Sequence, residues 1–307
     1  MTGGRDVARR RRRADIADTG STVGEAAAAP DVAALYRRIV EGNRYLPIPR
    51  AEQSFVGDGD FRAIGAEFLE HFIRHGGLRP DSDVLDFGCG IGRMALPLTQ
   101  YLSPDASYVG VDVNRQGLAW CRRRISKIYP NFTFRHIDYN NPLYNPSGKA
   151  VPWEHPLPFA AGSFDFVIAT SVFTHLSRHE FKALAGQLSS LLRPGGRLFA
   201  TFFLLDDVSA EAMGRGGARL TFPDAGARMT AGAVGHPPGS AVAFRRDYVE
   251  SILGGNGFSV GKPLLRGTWS GAGGGLTYQD VIVAERRPSG AQGIETANPA
   301  AAATEGR

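Results

Sequence analysis

The sequence predicts an α/β fold built on a mostly parallel sheet, and two observations carry that reading. From Gly77 onward, short apolar runs alternate with helix-periodic stretches at regular spacing, the pattern of a sheet with helices on both faces. The first of these runs, Val84-Leu85-Asp86-Phe87, leads straight into Gly88-Cys89-Gly90-Ile91-Gly92 and then into a helix-forming segment. Glycines at every second position leave no Cβ between backbone and ligand, and the following helix offers unpaired N–H groups. A strand-turn-helix of this kind is where a ligand is expected.

In chain order, residues 1–30 join the run Arg9 to Arg13 to an alanine-rich stretch and read as a disordered basic leader. Residues 31–59 follow as an N-terminal helix, with Asp31 as its cap, and an extended cap segment through Pro47 and Pro49. A second helix starts at Asp60 with Phe61, Ile64, Phe68, Leu69, Phe72 and Ile73 on one stripe and stops at Gly76-Gly77. His71 and His75 lie four apart on it, but no third ligand is near, so they read as core-edge histidines rather than a metal site.

The alternating part runs through residues 60–287. Strands are expected at 83–87, 107–112, 132–137, 164–170 and 197–204, with helices over 92–102, 115–129 and 178–192. The helix over 115–129 turns Leu118, Cys121, Ile125 and Ile128 inward. Residues 138–162 carry five prolines and form a long loop, a lid or wall of a site. The turn Pro194-Gly195-Gly196 precedes the fifth strand. Residues 206–243 read as an insertion of weak periodicity. A helix at 246–256 and two strands, 258–265 and 276–285, complete the body, and 288–307 is a low-complexity tail.

Composition bounds the function. The chain has 307 residues, 43% hydrophobic and 10% aromatic, ordinary for a globular protein. Its net charge of +5 comes from the arginine run; the rest balances, so the run reads as a solvated arm and not a nucleic-acid groove. Two cysteines give no disulfide framework and fit a reducing cytosol. No segment has the length of a membrane span and no signal peptide is evident, so the expected location is cytoplasmic.

Four features then converge. The turn is G-x-G-x-G, with Arg93 where a dinucleotide clamp wants glycine or alanine, and no Gly-Lys-Ser or Gly-Lys-Thr of a phosphate loop follows. Asp112 ends the second strand 24 residues after Gly88; its carboxylate can accept from two ribose hydroxyls, or else cap the next helix. Asp138, past the third strand, can accept from an adenine amine. Thr170-Ser171-Val172-Phe173-Thr174-His175 lies at the carboxyl end of the fourth strand, where ligands meet the loops of open α/β sheets. His175 there can abstract a proton from a hydroxyl or simply tether the loop. The four-residue spacing to His179 lacks the H-E-x-x-H of a zinc site.

In this order the features resemble the class I S-adenosylmethionine-dependent methyltransferases. Val84 to Arg93 looks like their first motif, Val109-Gly-Val-Asp112 their second-strand acidic motif, and Arg193-Pro-Gly-Gly196 the turn before their fifth strand. The resemblance implies a Rossmann-like three-layer sandwich whose seven-stranded sheet has order 3-2-1-4-5-7-6, the last strand antiparallel. It implies S-adenosylmethionine as cofactor, with Asp86, Gly88, Cys89, Gly90 and Gly92 around its methionine part, Asp112 and Val113 at the ribose, Asp138 at the adenine, and Thr170 and Ser171 near the sulfonium. Phe61, the Ser171–Leu176 stretch and Tyr278-Gln279-Asp280-Val281 resemble a bacterial subgroup acting on small molecules or glycans. Oxygen is the expected acceptor atom, His175 the expected base, and neither a metal nor a membrane is called for. The alternatives are a non-catalytic module that binds the cofactor or a partner, and a nicotinamide oxidoreductase.

Overall fold

The computed structural model describes residues 31–288, except 43–45, 56, 58 and 224–228. The expected leader and all but the first residue of the expected tail therefore lie outside the described residues. Helix α1 (Val32–Arg37) is capped by Asp31, whose carboxylate accepts from the Ala34 N–H, and continues into a π turn, Arg38–Gly42. Helix α2 (Phe61–Arg74) is capped by Asp60 through the Arg62 and Ala63 N–H groups and buries Leu69 and Phe72.

The sheet elements are β1 (Val84–Phe87), β2 (Tyr108–Asp112), β3 (Phe132–His136), β4 (Phe164–Ala169) and β5 (Leu192–Leu205). Between them lie α3 (Ala95–Leu98), α4 (Arg115–Cys121) and α5 (Arg178–Leu191). After β5 come α6 (Asp207–Gly214), β6 (Thr230–Gly232), β7 (Val242–Arg245), α7 (Arg246–Gly255), β8 (Phe258–Val260) and β9 (Asp280–Arg286). Strands β3-β2-β1-β4-β5 pair in parallel, β9 lies antiparallel on β5, and β8 antiparallel on β9. Setting the hairpin β6–β7 aside, this is the expected order 3-2-1-4-5-7-6.

Alternation along β1 divides the core. Val84 joins one apolar cluster with Leu69 and Phe72 of α2, Leu96 of α3 and Leu118 of α4. Leu85 and Phe87 join a second, with Phe181 and Leu188 of α5 and Val249 of α7. Each fully buried Phe, Leu or Val on these faces contributes about 1.5–3 kcal/mol. Phe72 is held edge-on by Phe166 and Phe199, with centroids 5.9 and 4.9 Å away.

Several elements depart from expectation. Helix α3 is one turn long, because the chain leaves Gly92 in a left-handed conformation and Pro97 has no N–H to extend the ladder. Helix α4 passes into a π turn, Arg122–Ser126, which adds a residue to the turn and rotates the residues beyond it. Leu118, Cys121 and Ile125 stay buried, but Ile128, expected inward, is 64% exposed. The residues 194–196, expected as a turn before the strand, sit inside β5 as a bulge, where pairing jumps from Phe164↔Leu192 to Phe166↔Arg197.

Strand β8 stops at Val260. Strand β9 starts only at Asp280, because the residues before it bend back onto 267–269, the Thr268 N–H donating to the Thr277 carbonyl at 2.9 Å. Asp280 locks this bend. Its carboxylate accepts from the N–H groups of Leu204 and Gly267, both at 2.9 Å, and from the Trp269 indole at 2.7 Å.

The expected insertion is folded. It supplies α6 and the hairpin β6–β7, and β7 pairs in parallel with the last three residues of β5, Phe203 to Leu205. Leu220, Phe222, Ala243 and Trp269 pack with Phe203 and Leu205 into a third cluster. At its root, Asp206 caps α6 through the Ser209 N–H and binds the Arg266 guanidinium at 2.6 Å.

Candidate cofactor and acceptor site

At the carboxyl end of β1 the chain takes positive φ at Gly88, Gly90 and Gly92 (81°, 55° and 82°). The two outer glycines answer to different neighbours. A Cβ on Gly88 would stand 2.4 Å from Val172 Cγ2, at the wall of a cavity. One on Gly92 would meet Cys121 Sγ at 2.9 Å and Ile125 at 3.1 Å, so Gly92 serves the packing of the turn on α4.

The turn's N–H groups are used within the fold. Gly88 and Cys89 both donate to the Val111 carbonyl, at 2.8 and 3.1 Å, Gly92 donates to Cys89, and Gly90 donates to Asp112 Oδ2 at 2.7 Å. These four groups are therefore not left for a ligand. A turn so committed has little donor capacity for a pyrophosphate and instead presents bare Cα surface.

The cavity above it is about 410 Å³, within the range of small-molecule and cofactor sites. Of the residues singled out in the sequence, Gly88, Cys89, Gly90, Asp112, Val113, Thr170, Ser171 and His175 line it. Asp112 does not cap α4; Asn114 does, accepting from the Gly117 N–H at 2.8 Å. Asp112 Oδ1 accepts from the Asn114 N–H at 2.7 Å. Burial raises the Asp112 pKa, opposed by the hydrogen bonds from Asn114 and Gly90.

Ser171 is the one non-glycine with positive φ among the described residues (54°), a conformation that persists where its surroundings enforce it. Its N–H donates to Thr201 Oγ1 at 2.7 Å, and the Ser171 and Thr201 hydroxyls both donate to Gln279 Oε1, at 3.1 and 2.5 Å. His175 ends a 3-10 turn, Phe173–His175, with Nδ1 at 3.2 Å from the Gly239 carbonyl of the insertion. Burial holds its pKa below 6.5.

Three expected residues stand outside the cavity wall. Asp86 is fully buried on the far side of β1, accepting from the Tyr108 hydroxyl, and burial raises its pKa to about 7. Gly92 packs against α4. Asp138 faces its own loop, accepting from Asn145 Nδ2 at 3.2 Å with Arg115 at 3.7 Å; Ile137 and Tyr139, its chain neighbours, line the cavity in its place.

The sequence reading passed over Phe55, Asn141 and Tyr144, which also line the cavity. Phe55 and Tyr144 meet with ring centroids 6.1 Å apart, and Tyr144 meets His175 edge-on at 5.8 Å. The signal for Tyr144 was the length of the proline-rich loop; nothing local marks Phe55. Among the described residues, no group of three or more His, Cys, Asp or Glu could hold a metal ion.

Residues 84–196 match the family model described as "Methyltransferase domain". The chain is 36% identical over 121 residues to phthiotriol/phenolphthiotriol dimycocerosates methyltransferase 1 of Mycobacterium ulcerans, covering 38% of this chain and 36% of that one. It is 29% identical over 126 residues to the ubiquinone/menaquinone biosynthesis C-methyltransferase of Wigglesworthia glossinidia brevipalpis, covering 40% and 44%. It thus spans less than half the length of either relative. In structure, the PH0226 protein of Pyrococcus horikoshii OT3 superposes with a TM-score of 0.52 at 16% identity, over 81% of this chain and 99% of that one, which bears on the fold alone. The matched segment opens on the first residue of β1 and closes in the bulge of β5; what is shared with the methyltransferase family is the half of the sheet that carries the turn and Asp112.

Proposed function

We propose that this chain transfers a methyl group from S-adenosylmethionine to a small apolar acceptor. The carrying observation is the Asp112 carboxylate, tied to the Gly90 and Asn114 N–H groups at the wall of the cavity. Each carboxylate oxygen has a second lone pair, and a ribose hydroxyl pair can use both. Gly88 gives the methionine end a wall free of side chain, while Val113, Ile137 and Tyr139 offer apolar surface to a purine. A turn whose N–H groups are already bonded suits a sulfonium zwitterion better than the pyrophosphate of a nicotinamide dinucleotide.

When bound, S-adenosylmethionine supplies a methyl group already activated by positive sulfur. The chain's part is to align the acceptor and exclude water, and positioning of that kind can supply most of the rate. For an oxygen acceptor we assign the base to His175. With Nδ1–H donating to the Gly239 carbonyl, Nε2 carries the free lone pair, and the lowered pKa keeps that lone pair available at neutral pH. An apolar acceptor is favoured over a glycan by the lining, in which Phe55, Val172, Leu176 and Leu184 outnumber the charged groups. The two relatives, by name a dimycocerosate and a quinone enzyme, agree with that choice.

Calorimetry with S-adenosylmethionine and S-adenosylhomocysteine tests the cofactor reading. Wild type is expected to bind both and Asp112→Ala to bind each at least tenfold more weakly; a wild type that binds neither overturns it. A mass-spectrometric screen for methylated metabolites then identifies the acceptor.

A further inference from the structure

On the 138–162 loop three large side chains stand in solvent: Leu143 (42% exposed), Tyr144 (37%) and Trp153 (45%). Two ring contacts fix where they stand. Tyr144 meets His175 edge-on, and Trp153 meets His179 edge-on with centroids 4.4 Å apart. His175 ends the 3-10 turn and His179 lies in the first turn of α5, so the two loop aromatics lie along one rim. Tyr144 and Pro152, the chain neighbour of Trp153, line the cavity. The rim is therefore the cavity's mouth, and apolar surface runs from it inward to Val172 and Leu176.

We propose that this rim docks on a zwitterionic lipid surface, from which an apolar acceptor enters the cavity. The methyl-transfer reading is needed only for what happens to the acceptor; the docking stands apart from it. Three half-exposed side chains offer on the order of 250–300 Å², far below the ~800 Å² per partner of a stable protein interface, which argues against a second copy. Shallow insertion at a membrane surface needs only a few such groups, and Tyr and Trp, apolar with one polar tip, are the side chains that sit at headgroup depth. Within the loop, Lys149 is offset by Asp138 and Glu154, so no positive excess selects anionic lipid. No helix of the described residues is long and apolar enough to cross a membrane, and surface docking requires none.

The chain carries its own reporter. Of three tryptophans, Trp120 and Trp269 are buried, so Trp153 dominates any change in emission at the surface. Full-length protein is mixed with phosphatidylcholine vesicles, on which the basic leader has no lipid charge to bind. The expected result is a blue shift with co-sedimentation. Leu143→Asp, which keeps the reporter, should partition at least tenfold more weakly, and Trp153→Ser should lose co-sedimentation likewise. Ile128→Asp, exposed at the opposite end of the sheet, should behave as wild type.

A wild type with no shift and no sedimentation overturns the proposal. So does an Ile128→Asp variant as impaired as Leu143→Asp, or light scattering that shows a dimer with Trp153 covered. S-adenosylhomocysteine binding measured in parallel separates the two readings and confirms that each variant is folded. Cofactor binding without vesicle binding defeats the docking alone, and the reverse defeats the cofactor reading alone.

Discussion

Asp112 Oδ2 and the Gly90 N–H, 22 residues apart in sequence, are joined by a 2.7 Å hydrogen bond that closes the glycine turn of β1 onto the end of β2. The same carboxylate forms part of the cavity wall, so one side chain both shapes the turn and faces the ligand. Asp112→Asn separates these tasks. It keeps one acceptor for Gly90, gives up the one that takes the Asn114 N–H and loses the charge, so the fold should survive with some loss of stability while S-adenosylhomocysteine affinity falls by about 1.5–3 kcal/mol, the worth of hydrogen bonds to a charged group. Isothermal calorimetry measures it; unchanged affinity would remove Asp112 from the ligand's contacts.

Gly88→Ala places a methyl 2.4 Å from Val172 Cγ2 at φ +81°. The variant should lose about 1–3 kcal/mol of stability through backbone strain and bind the cofactor poorly. Urea unfolding and calorimetry on the same preparation check both.

For His175 the sign is set by burial, which lowers its pKa from 6.5. The unfolded chain then takes up this proton more readily than the folded one. The contribution to stability is complete above 6.5 and is lost as pH falls through the lower folded value. A His175→Gln variant should flatten that part of the urea midpoint profile. With a hydroxyl acceptor, wild-type turnover should rise with pH on an apparent pKa below 6.5 and level off above it, and the variant should be slower by about 10²–10⁴-fold.

Asp86 runs the other way. Burial raises its pKa from 3.8 to about 7, so the folded state favours the protonated acid, and this contribution is full below about 3.8 and lost as pH climbs through 7. Asp86→Asn removes the ionisation. Its thermal midpoint should decline less than that of wild type between about pH 5 and about 8, a comparison that scanning calorimetry makes directly.

Arg193 reaches Asp83 at 3.1 Å and Asp165 at 2.7 Å, tying the starts of β1, β4 and β5 beneath the sheet. Asp83 is almost wholly buried. Arg193→Met takes the guanidinium from that buried carboxylate, which keeps its hydrogen bonds from Ser107, and should cost about 3–5 kcal/mol in urea unfolding, with cofactor affinity retained in the fraction that folds.

The sequence marked Gly88, Asp112, Thr170, Ser171 and His175 because each follows a strand of one parallel sheet, and chain order brings the carboxyl ends of such strands together. The order of strands comes instead from the resemblance of the motifs to a known family. Asp86, named through the family resemblance, stands away from the cavity wall because period-two alternation puts it on the side of Val84, opposite Phe87, which lines the cavity. Asp138 faces its own loop because a local partner, Asn145, decides where its carboxylate faces. Phe55 and Tyr144 meet across 89 residues, and no periodicity within either segment encodes such a contact. Ile128 was misjudged because a π turn shifts helical phase without altering composition.

Strand β5 pairs with β9 from Arg197 to Phe202 and with β7 from Phe203 to Leu205. Because it changes partner part-way, any segment spliced in at Asp206 inherits a ready edge to pair with, while the upstream register that holds Ser171 through Thr201 and Gln279 is untouched. The fork is thus a graft point. Exchange of the β6–β7 hairpin between related chains would leave the half of the sheet that carries the glycine turn and Asp112 unaltered.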